Sequence, residues 1–301
     1  MLAAALVLGW ASLRGGSQGP PAVSASRRAA PARHATALLT GLSPGACLLF
    51  APVGADRHRI VFVDPGHGGV DPGALGTTSS GAPVREKDVT LGIGLDLLRR
   101  LREDGYRVVM SRVSDTTLAR LGPADVTSGG LTNAAEHADT RARVECANAA
   151  RAQIMISIHM NAFDDPSVGG TETIYDSARP FSPDSRHFAE LVQQDLQAGF
   201  AARGWRIPDR GIKDDATLDP PAHSVRAENY GHLLELGPAQ AGWLADPSRM
   251  PAALTEPLFV TDPHESDVAV TDQGRQVIAA AIELAVKSYF APPPPRAQSP
   301  R

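Results

Sequence analysis

The sequence has few cysteines and a small net charge, and its most apolar stretch is short. The formal net charge is only −4, so the chain has no general attraction to the phosphates of nucleic acid, and no nucleic-acid partner is expected. The apolar stretch at 1–13 is shorter than the roughly 20 residues that a transmembrane helix needs. No internal repeat and no wall-binding repeat is visible. With 43% hydrophobic residues, the chain can bury a sizeable core, which excludes disorder throughout.

The N-terminal residues favour export from the cytoplasm. A small-x-small cleavage sequence, VSA at 23–25, follows the apolar stretch, so we predict a signal peptide or leader over 1–25 and a secreted or cell-envelope location. No basic region precedes the apolar stretch, which leaves a membrane anchor or a disordered leader as alternatives. Residues 26–44 are predicted to be a linker, and the proline-rich residues 291–301 a disordered tail.

Only two cysteines are present, Cys47 and Cys146. An even pair in an exported chain predicts a disulfide, and two buried free thiols are the alternative. The bond would connect the segment just before the first predicted strand to a predicted helix.

Residues 45–290 alternate between strand and helix patterns, and we expect them to form one catalytic domain. Continuous apolar runs of this kind predict a largely parallel sheet with helices on both faces, which is an α/β fold. The segment 113–138 is long and weakly periodic, and we expect it to border a substrate groove. The predicted strands are 60–64, 106–111, 153–159, 171–175, 231–236 and 252–256, and the predicted helices are about 87–103, 139–151, 183–201 and 271–289.

Two histidines and one glutamate stand at the ends of predicted elements. His67 follows the strand in IVFVDPGHGG at 60–69, Glu86 opens a helix, and His159 closes the strand in IMISIHMNA at 154–162. Ligands collect at the carboxyl ends of strands in such sheets, so we expect the three side chains to meet. Two histidines, one carboxylate and an open coordination position are typical of a catalytic zinc site, which indicates hydrolysis.

Each of these residues also has a simpler explanation. A histidine at the end of a strand is often only a satisfied polar group, and His159 alone fits a core histidine. Glu86 alone fits a carboxylate at the positive end of a helix. The ligand types suit zinc, while manganese and iron accept the same groups.

Several segments occur in the order found in zinc-dependent N-acetylmuramoyl-L-alanine amidases of the type-3 class, and the chain resembles this family over about 58–290. The family's closing motif is matched by MPAALTEPLFVTDPHE at 250–265. The other segments are VDPGHGG at 63–69, REKDV at 85–89, RVECAN at 143–148, ISIHMNA at 156–162 and GTETIY at 170–175.

The resemblance implies a three-layer α/β/α sandwich around a mostly parallel sheet of about six strands. It also implies cleavage of the amide bond between N-acetylmuramic acid and L-alanine in peptidoglycan, with Zn²⁺ held by His67, Glu86 and His159. Peptidoglycan is the expected partner, and nothing in the sequence requires more than a monomer. A different zinc peptidase or amidohydrolase is one alternative, and a catalytically silent peptidoglycan-binding or regulatory domain is another.

Two glutamates compete for the catalytic role in the family's closing motif. Glu256 is preceded by a proline and a short apolar strand, as in the family, and is therefore our prediction. Pro257 departs from the family pattern, which has a small or apolar residue there. Glu235, in the sequence LLELG at 233–237, is the alternative.

Arg143 matches an arginine of the family just before the second histidine strand. We expect it to pair with a carboxylate inside the fold, and a contact with the peptide stem is the alternative. The remaining histidines have no motif around them. Among them, His223 and His232 are the two whose distance from the metal is of most interest.

Overall fold

The computed structural model of the protein describes residues 35–127, 130–218 and 230–292. The predicted leader at 1–25, His223 and all but the first two residues of the predicted tail lie outside these ranges. None of the helices in the described ranges is long and apolar enough to cross a membrane.

The described residues form a central sheet, two small hairpins and five α-helices. The strands are β1 Ala35–Ala37, β2 Ala46–Phe50, β3 Ile60–Pro65, β4 Leu75–Thr77, β5 Pro83–Arg85, β6 Arg107–Arg112, β7 Val126–Thr127, β8 Gly130–Leu131, β9 Ile154–Ile158, β10 Thr171–Tyr175, β11 Asp209–Asp214 and β12 Ala252–Glu256. The helices are α1 Glu86–Glu103, α2 Asn133–Ala150, α3 Ser182–Ala201, α4 Pro263–Ala269 and α5 Asp272–Tyr289.

The central sheet has eight strands in the order β1-β2-β6-β3-β9-β12-β10-β11. Its middle strands β6, β3, β9 and β12 are parallel to one another. β10 runs antiparallel to β12, and β1 and β2 form an antiparallel edge. The carboxyl ends of β3, β9 and β12 therefore meet at one edge of the sheet, which is where the predicted site residues lie.

Helices cover both faces of the sheet, as predicted. On one face, α1, α3 and α5 pack against strand residues such as Val61, Val63 and Ile156. On the other face, α2 and the segment 230–250 cover a second apolar cluster that contains Phe62 and Met155. This arrangement confirms the three-layer α/β/α sandwich with a mostly parallel sheet.

The sheet has eight strands and not about six. Five of the predicted strands belong to it, together with β1, β2 and β11, which were not predicted. β1 lies inside the span predicted as a linker, and β11 has the polar sequence DRGIKD. Neither of these two carries the apolar run by which buried strands are recognised. β2 does carry one, ACLLF, but this segment was placed before the first predicted strand.

The predicted first helix follows the apolar spacing of its sequence. Val89, Ile93, Leu97 and Leu101 recur every four residues and are buried. Gly105 ends this region with φ of +91°. A Cβ atom at that position would lie 2.0 Å from the carbonyl oxygen of Ala55, so only glycine fits there.

The second predicted helix is longer than expected. It begins at Asn133 and not near 139, because the Thr132 side chain accepts a hydrogen bond from the backbone N–H of Ala135 and caps its first turn. The predicted loop 113–138 is correspondingly shorter. It also contains the small hairpin formed by β7 and β8.

The prediction of a strand at 231–236 is wrong. Residues 234–236 lie in a turn, in which Leu236 and Gly237 donate backbone hydrogen bonds to the carbonyl oxygen of Leu233. The leucines are buried because the segment lies across a face of the sheet. Apolar residues that cover a sheet have the same composition as a short buried strand, and periodicity cannot distinguish the two.

The disulfide between Cys47 and Cys146 is present and links β2 to α2. Both cysteines are fully buried, and they are 99 residues apart in the sequence. The bond therefore connects the edge of the sheet to the helix that covers one of its faces.

We expect the double variant Cys47→Ala, Cys146→Ala to lose about 2–5 kcal/mol of unfolding free energy, because a bond across a long loop restricts the unfolded chain. Urea denaturation of the oxidised protein and of the variant measures this loss. Equal unfolding midpoints and slopes for the two proteins would contradict the expectation.

Candidate metal centre

The structure brings the side chains of His67, Glu86 and His159 together at one point. Nε2 of His67 lies 3.1 Å from Oε1 of Glu86 and 3.1 Å from Nδ1 of His159. The third side of the triangle, from His159 Nδ1 to Glu86 Oε1, is also 3.1 Å. Three donor atoms from separate parts of the chain thus face one another.

The donor set fits a small divalent ion. Tetrahedral zinc with bonds of about 2.0–2.1 Å places its donors about 3.4 Å apart, which is close to the observed triangle. Two imidazole nitrogens and one carboxylate oxygen suit zinc and its neighbours among the transition metals better than magnesium or calcium. Three protein donors leave a coordination position for a reactant.

His67 reaches the triangle through a strained turn at the end of β3. Its φ is +59°, a left-handed value that is uncommon outside glycine. Gly66 precedes it, and a Cβ atom there would lie 2.4 Å from Cε1 of His159. Glycine at this position therefore lets the two imidazoles approach each other.

Backbone and side-chain hydrogen bonds fix the orientation of the ligands. Asp71 Oδ2 lies 2.8 Å from Nδ1 of His67, which holds that ring with Nε2 facing the triangle. Glu86 accepts hydrogen bonds from the backbone N–H groups of Ala74 and Met160 at 2.7 and 2.8 Å. The sequence reasoning missed Asp71, although its position four residues after His67 in the same glycine-rich turn was a usable signal.

The charges of the three ligands stabilise one another. Burial disfavours a charged His67, but the carboxylates of Glu86 and Asp71 outweigh it and hold the pKa of His67 well above its usual value. Burial likewise disfavours a charged Glu86, yet the two histidines lower the pKa of this carboxyl far below its usual value. Glu86 is thus an anionic donor at any physiological pH.

A cavity of about 300 Å³ opens beside the triangle. Glu256 lines it together with the three predicted ligands, and so do Leu131 and Glu136 from the segment 113–138. The segment 113–138 therefore borders the cavity beside the triangle, as predicted. That this cavity binds the substrate stays a prediction.

Glu256 is the last residue of β12 and is 7% exposed. Its Oε2 atom is buried and has no hydrogen-bond partner among the described residues. Burial, reinforced by the charges of Glu86 and Glu172, raises the pKa of Glu256 well above its usual value. The result is a carboxyl group at the cavity that keeps its proton to a higher pH than an ordinary glutamate does.

Glu235 lines the same cavity from a different direction. It lies in the turn at 234–236, and one carboxylate oxygen is within 4.8 Å of donor atoms of Asp64 and His159. Burial raises the pKa of Glu235, the charge of His159 opposes this, and Asp64 adds to it. Glu235 therefore lies near His159 and Asp64, whereas the charges that act on Glu256 include those of Glu86 and His67.

Arg143 has the structural role that was expected of it. Nη1 lies 2.7 Å from Asp64 and Nη2 lies 2.9 Å from Asp139, and all three side chains are buried. Arg143 also donates to the carbonyl oxygens of Pro65 and His67 at 3.0 and 2.8 Å. The guanidinium thereby connects α2 to the turn that carries His67. Neither Asp64 nor Asp139 could be recognised as its partner from the sequence.

His232 lies away from the triangle, in a second cluster with Asp176 and Asp215. Its Nδ1 atom is 2.8 Å from Asp176 and 3.2 Å from Asp215. Burial and the neighbouring Asp176 raise the pKa of Asp215 to about 8.

The model of the N-acetylmuramoyl-L-alanine amidase family matches residues 61–288 of the chain. The chain belongs to this family. The match contains all of β3 except its first residue, the three residues of the triangle and Glu256, and it ends one residue before the end of α5. The predicted family and the predicted class of enzyme, an amide hydrolase, are thereby confirmed.

Relatives with assigned names support the same conclusion. A germination-specific N-acetylmuramoyl-L-alanine amidase of Bacillus subtilis is 28% identical over 232 residues, which are 77% of this chain and 80% of that protein. The amidase AmiC of Neisseria meningitidis serogroup B is 28% identical over 246 residues, which are 78% of this chain but only 53% of AmiC. The chain therefore spans about half the length of this second relative.

The fold has solved counterparts in the family. The crystal structure of an N-acetylmuramoyl-L-alanine amidase from Clostridium difficile 630 matches with a TM-score of 0.54 and 26% sequence identity. The match covers 77% of this chain and 96% of that one. The sheet and its helical layers thus follow the amidase fold.

Proposed function

We propose that the chain is a zinc-dependent amidase that cleaves the bond between N-acetylmuramic acid and L-alanine in peptidoglycan. The observation that carries the proposal is the triangle of His67, Glu86 and His159 beside a cavity that also contains the unpartnered carboxyl of Glu256. The family of the chain and the names of its relatives support the proposal as well.

His67, Glu86 and His159 would hold the ion, with Asp71 fixing the ring of His67. A bound zinc ion supplies Lewis-acid chemistry, because it polarises a carbonyl group and makes water more acidic. The chain contributes the fixed orientation of the donors and the carboxyl group of Glu256 at the same cavity. Groups that are oriented in advance interact with a bound amide without reorganising during the reaction.

Glu256 would act as the general base and then as the general acid. In its anionic form it accepts a proton from the attacking water, and as the neutral acid it delivers that proton to the nitrogen of the departing L-alanine. A carboxyl whose pKa is raised toward the working pH suits both steps. Pro257 follows it directly, and its carbonyl oxygen accepts a hydrogen bond from Thr171 at 2.9 Å, so the backbone beyond Glu256 is held in place.

We also infer that the chain works outside the cytoplasm, where peptidoglycan lies. The relatives described above are named N-acetylmuramoyl-L-alanine amidases, which supports a substrate in peptidoglycan, and a buried disulfide suits an oxidising compartment. In this proposal, 1–25 is the signal peptide or leader, 45–290 the catalytic domain and 291–301 the tail, and the domain acts as a monomer on peptidoglycan. Of the proposed linker at 26–44, the part at 35–37 belongs to the sheet.

Digestion of purified muropeptides, followed by mass spectrometry, tests the reaction. We expect free, intact stem peptides and sugars without peptides. Release of a terminal amino acid from the stem would indicate a carboxypeptidase, and binding to peptidoglycan without any product would indicate a silent domain.

Removal of the metal is expected to abolish hydrolysis. Dialysis against a chelator should reduce product formation to the level of a blank, and one equivalent of Zn²⁺ per catalytic site should restore it, because no other group of the cavity can polarise the carbonyl to the same degree. Calcium or magnesium added at the same concentration is the control. Unchanged hydrolysis by the fully metal-free protein would contradict the proposal.

A further inference from the structure

A second group of possible metal ligands lies at the ends of β10 and β11. These strands are parallel, and Tyr175 pairs with Asp214. The next residues, Asp176 and Asp215, therefore emerge side by side. His232 approaches them from the segment that crosses the face of the sheet, and donor atoms of the three side chains all lie within 4.8 Å of one another.

Each carboxylate uses one oxygen for the backbone and leaves the other for the cluster. Oδ1 of Asp176 accepts a hydrogen bond from the N–H of Ala178 at 2.6 Å, and Oδ2 of Asp215 accepts one from Leu233 at 2.9 Å. The remaining oxygens, Asp176 Oδ2 and Asp215 Oδ1, lie 2.8 and 3.2 Å from Nδ1 of His232. The two carboxylates are thus oriented toward His232 by backbone hydrogen bonds outside the cluster.

One of these oxygens is close to the imidazole without being hydrogen-bonded to it. Asp176 is 1% exposed, and its buried Oδ2 atom lies 2.8 Å from Nδ1 of His232 but makes no hydrogen bond with any of the described residues. Asp215 beside it is fully buried as well. Two buried carboxylates in contact are costly unless one of them is protonated or a cation neutralises them.

The nearest guanidinium is engaged elsewhere. Arg179 lies close enough to Asp176 to interact with its charge, but two of its N–H groups donate to the carbonyl oxygens of Gly237 and Ser248. Arg179 therefore donates no hydrogen bond to Asp176 among the described residues, and a metal ion could take the place of the proton that the raised pKa of Asp215 favours.

This cluster is separate from the triangle at His67. β10 runs antiparallel to β12, with Glu172 opposite Glu256. The first residues of β10 therefore lie beside the carboxyl end of β12, where Glu256 is, and its last residues lie beside the amino end of β12. Asp176 is four residues beyond Glu172, which corresponds to roughly 13 Å along a strand.

We propose that Asp176, Asp215 and His232 form a second metal site, which binds a divalent transition-metal ion. One imidazole nitrogen and two carboxylate oxygens about 3 Å apart suit zinc or manganese better than the all-oxygen sites of magnesium and calcium. The ion would stabilise the fold, because it connects the ends of two strands to the segment 230–250. The same segment carries Glu235 to the cavity.

The test counts zinc ions per chain with zinc alone as the probe. The full chain is stripped with a chelator, loaded with ZnCl₂, passed through a desalting column and analysed by plasma mass spectrometry. We expect two zinc ions per chain for the wild type and one for His67→Ala, whose remaining ion is in the second site. Asp215→Asn should also bind one zinc ion, at the triangle of His67, Glu86 and His159. The double variant His67→Ala, Asp215→Asn should bind none.

A stability measurement separates loss of the site from loss of folding. In the His67→Ala background, ZnCl₂ should raise the melting temperature, and adding Asp215→Asn or His232→Gln should remove the rise while circular dichroism stays unchanged. One zinc ion per wild-type chain together with none in folded His67→Ala would overturn the second site. That result would leave the proposed amidase reaction intact, since it depends on the triangle alone.

Discussion

Replacement of Glu256 by glutamine is expected to slow muropeptide hydrolysis by about 10²–10⁴-fold while zinc content stays at the wild-type level. Glutamine keeps the size of the side chain but cannot accept and return a proton, and general acid–base catalysis contributes a factor of this order. The triangle of His67, Glu86 and His159 does not include Glu256, so metal binding should be preserved. Initial rates on a purified muropeptide and zinc analysis of the same sample measure both quantities.

Glu235→Gln is the matched control, because Glu235 is also a buried glutamate that lines the cavity. Its loss of rate should be less than about tenfold, well below the range expected of a general acid–base residue. If Glu235→Gln lost the reaction and Glu256→Gln kept it, the two roles would have to be exchanged. That exchange would also mean that the family's closing motif lies at 233–237 in this chain.

Arg143→Met is expected to lower the free energy of unfolding by about 3–5 kcal/mol, because it leaves the carboxylates of Asp64 and Asp139 buried without a cation. Burial disfavours the charged guanidinium, but these two carboxylates raise the pKa of Arg143 above its usual value, so the guanidinium is charged. The same change removes the donors to the carbonyl oxygens of Pro65 and His67. Urea denaturation of the metal-free protein gives the loss of stability without a contribution from the ion.

Arg186→Met on the surface is the control for this measurement. Arg186 pairs with Glu190 on one face of α3, with both side chains about half exposed, and such a pair contributes only about 0.3–0.5 kcal/mol. Similar losses for the two variants would contradict a buried ionic role for Arg143. Zinc affinity should fall in Arg143→Met and not in Arg186→Met, since Arg143 donates to the turn that carries His67 and Arg186 lies on the surface of α3.

His67, Glu86 and His159 could be predicted to lie together because the sheet is parallel at its centre. His67 and His159 follow β3 and β9, and Glu256 ends β12. Parallel neighbouring strands bring their carboxyl ends to one edge, so strand-end residues far apart in the sequence meet there. Glu86 could be placed in the same way, since it begins the helix that follows β3 and the glycine-rich turn.

The features that were not predicted depend on contacts made by polar or short segments. β1 is three residues long, and its pairing with β2 depends on the backbone, which has no signature in composition. The apolar residues at 231–236 gave a false strand, since coverage of a sheet face and membership of a sheet require the same side chains. Asp64 and Asp139 meet Arg143 only after α2 has packed on the sheet.

The second cluster illustrates the same limit. Asp176 and Asp215 follow two strands that are adjacent only because β11 adds to β10 at the edge of the sheet. β11 is polar and was not predicted, so the two aspartates could not be placed side by side. His232 was of interest only for its distance from the first metal site.

X-ray diffraction at the zinc absorption edge, from crystals of the active zinc-loaded protein, tests the central claim most directly. We predict an anomalous peak within bonding distance of His67 Nε2, Glu86 Oε1 and His159 Nδ1. Active, zinc-loaded protein with no such peak among these three side chains would contradict the account.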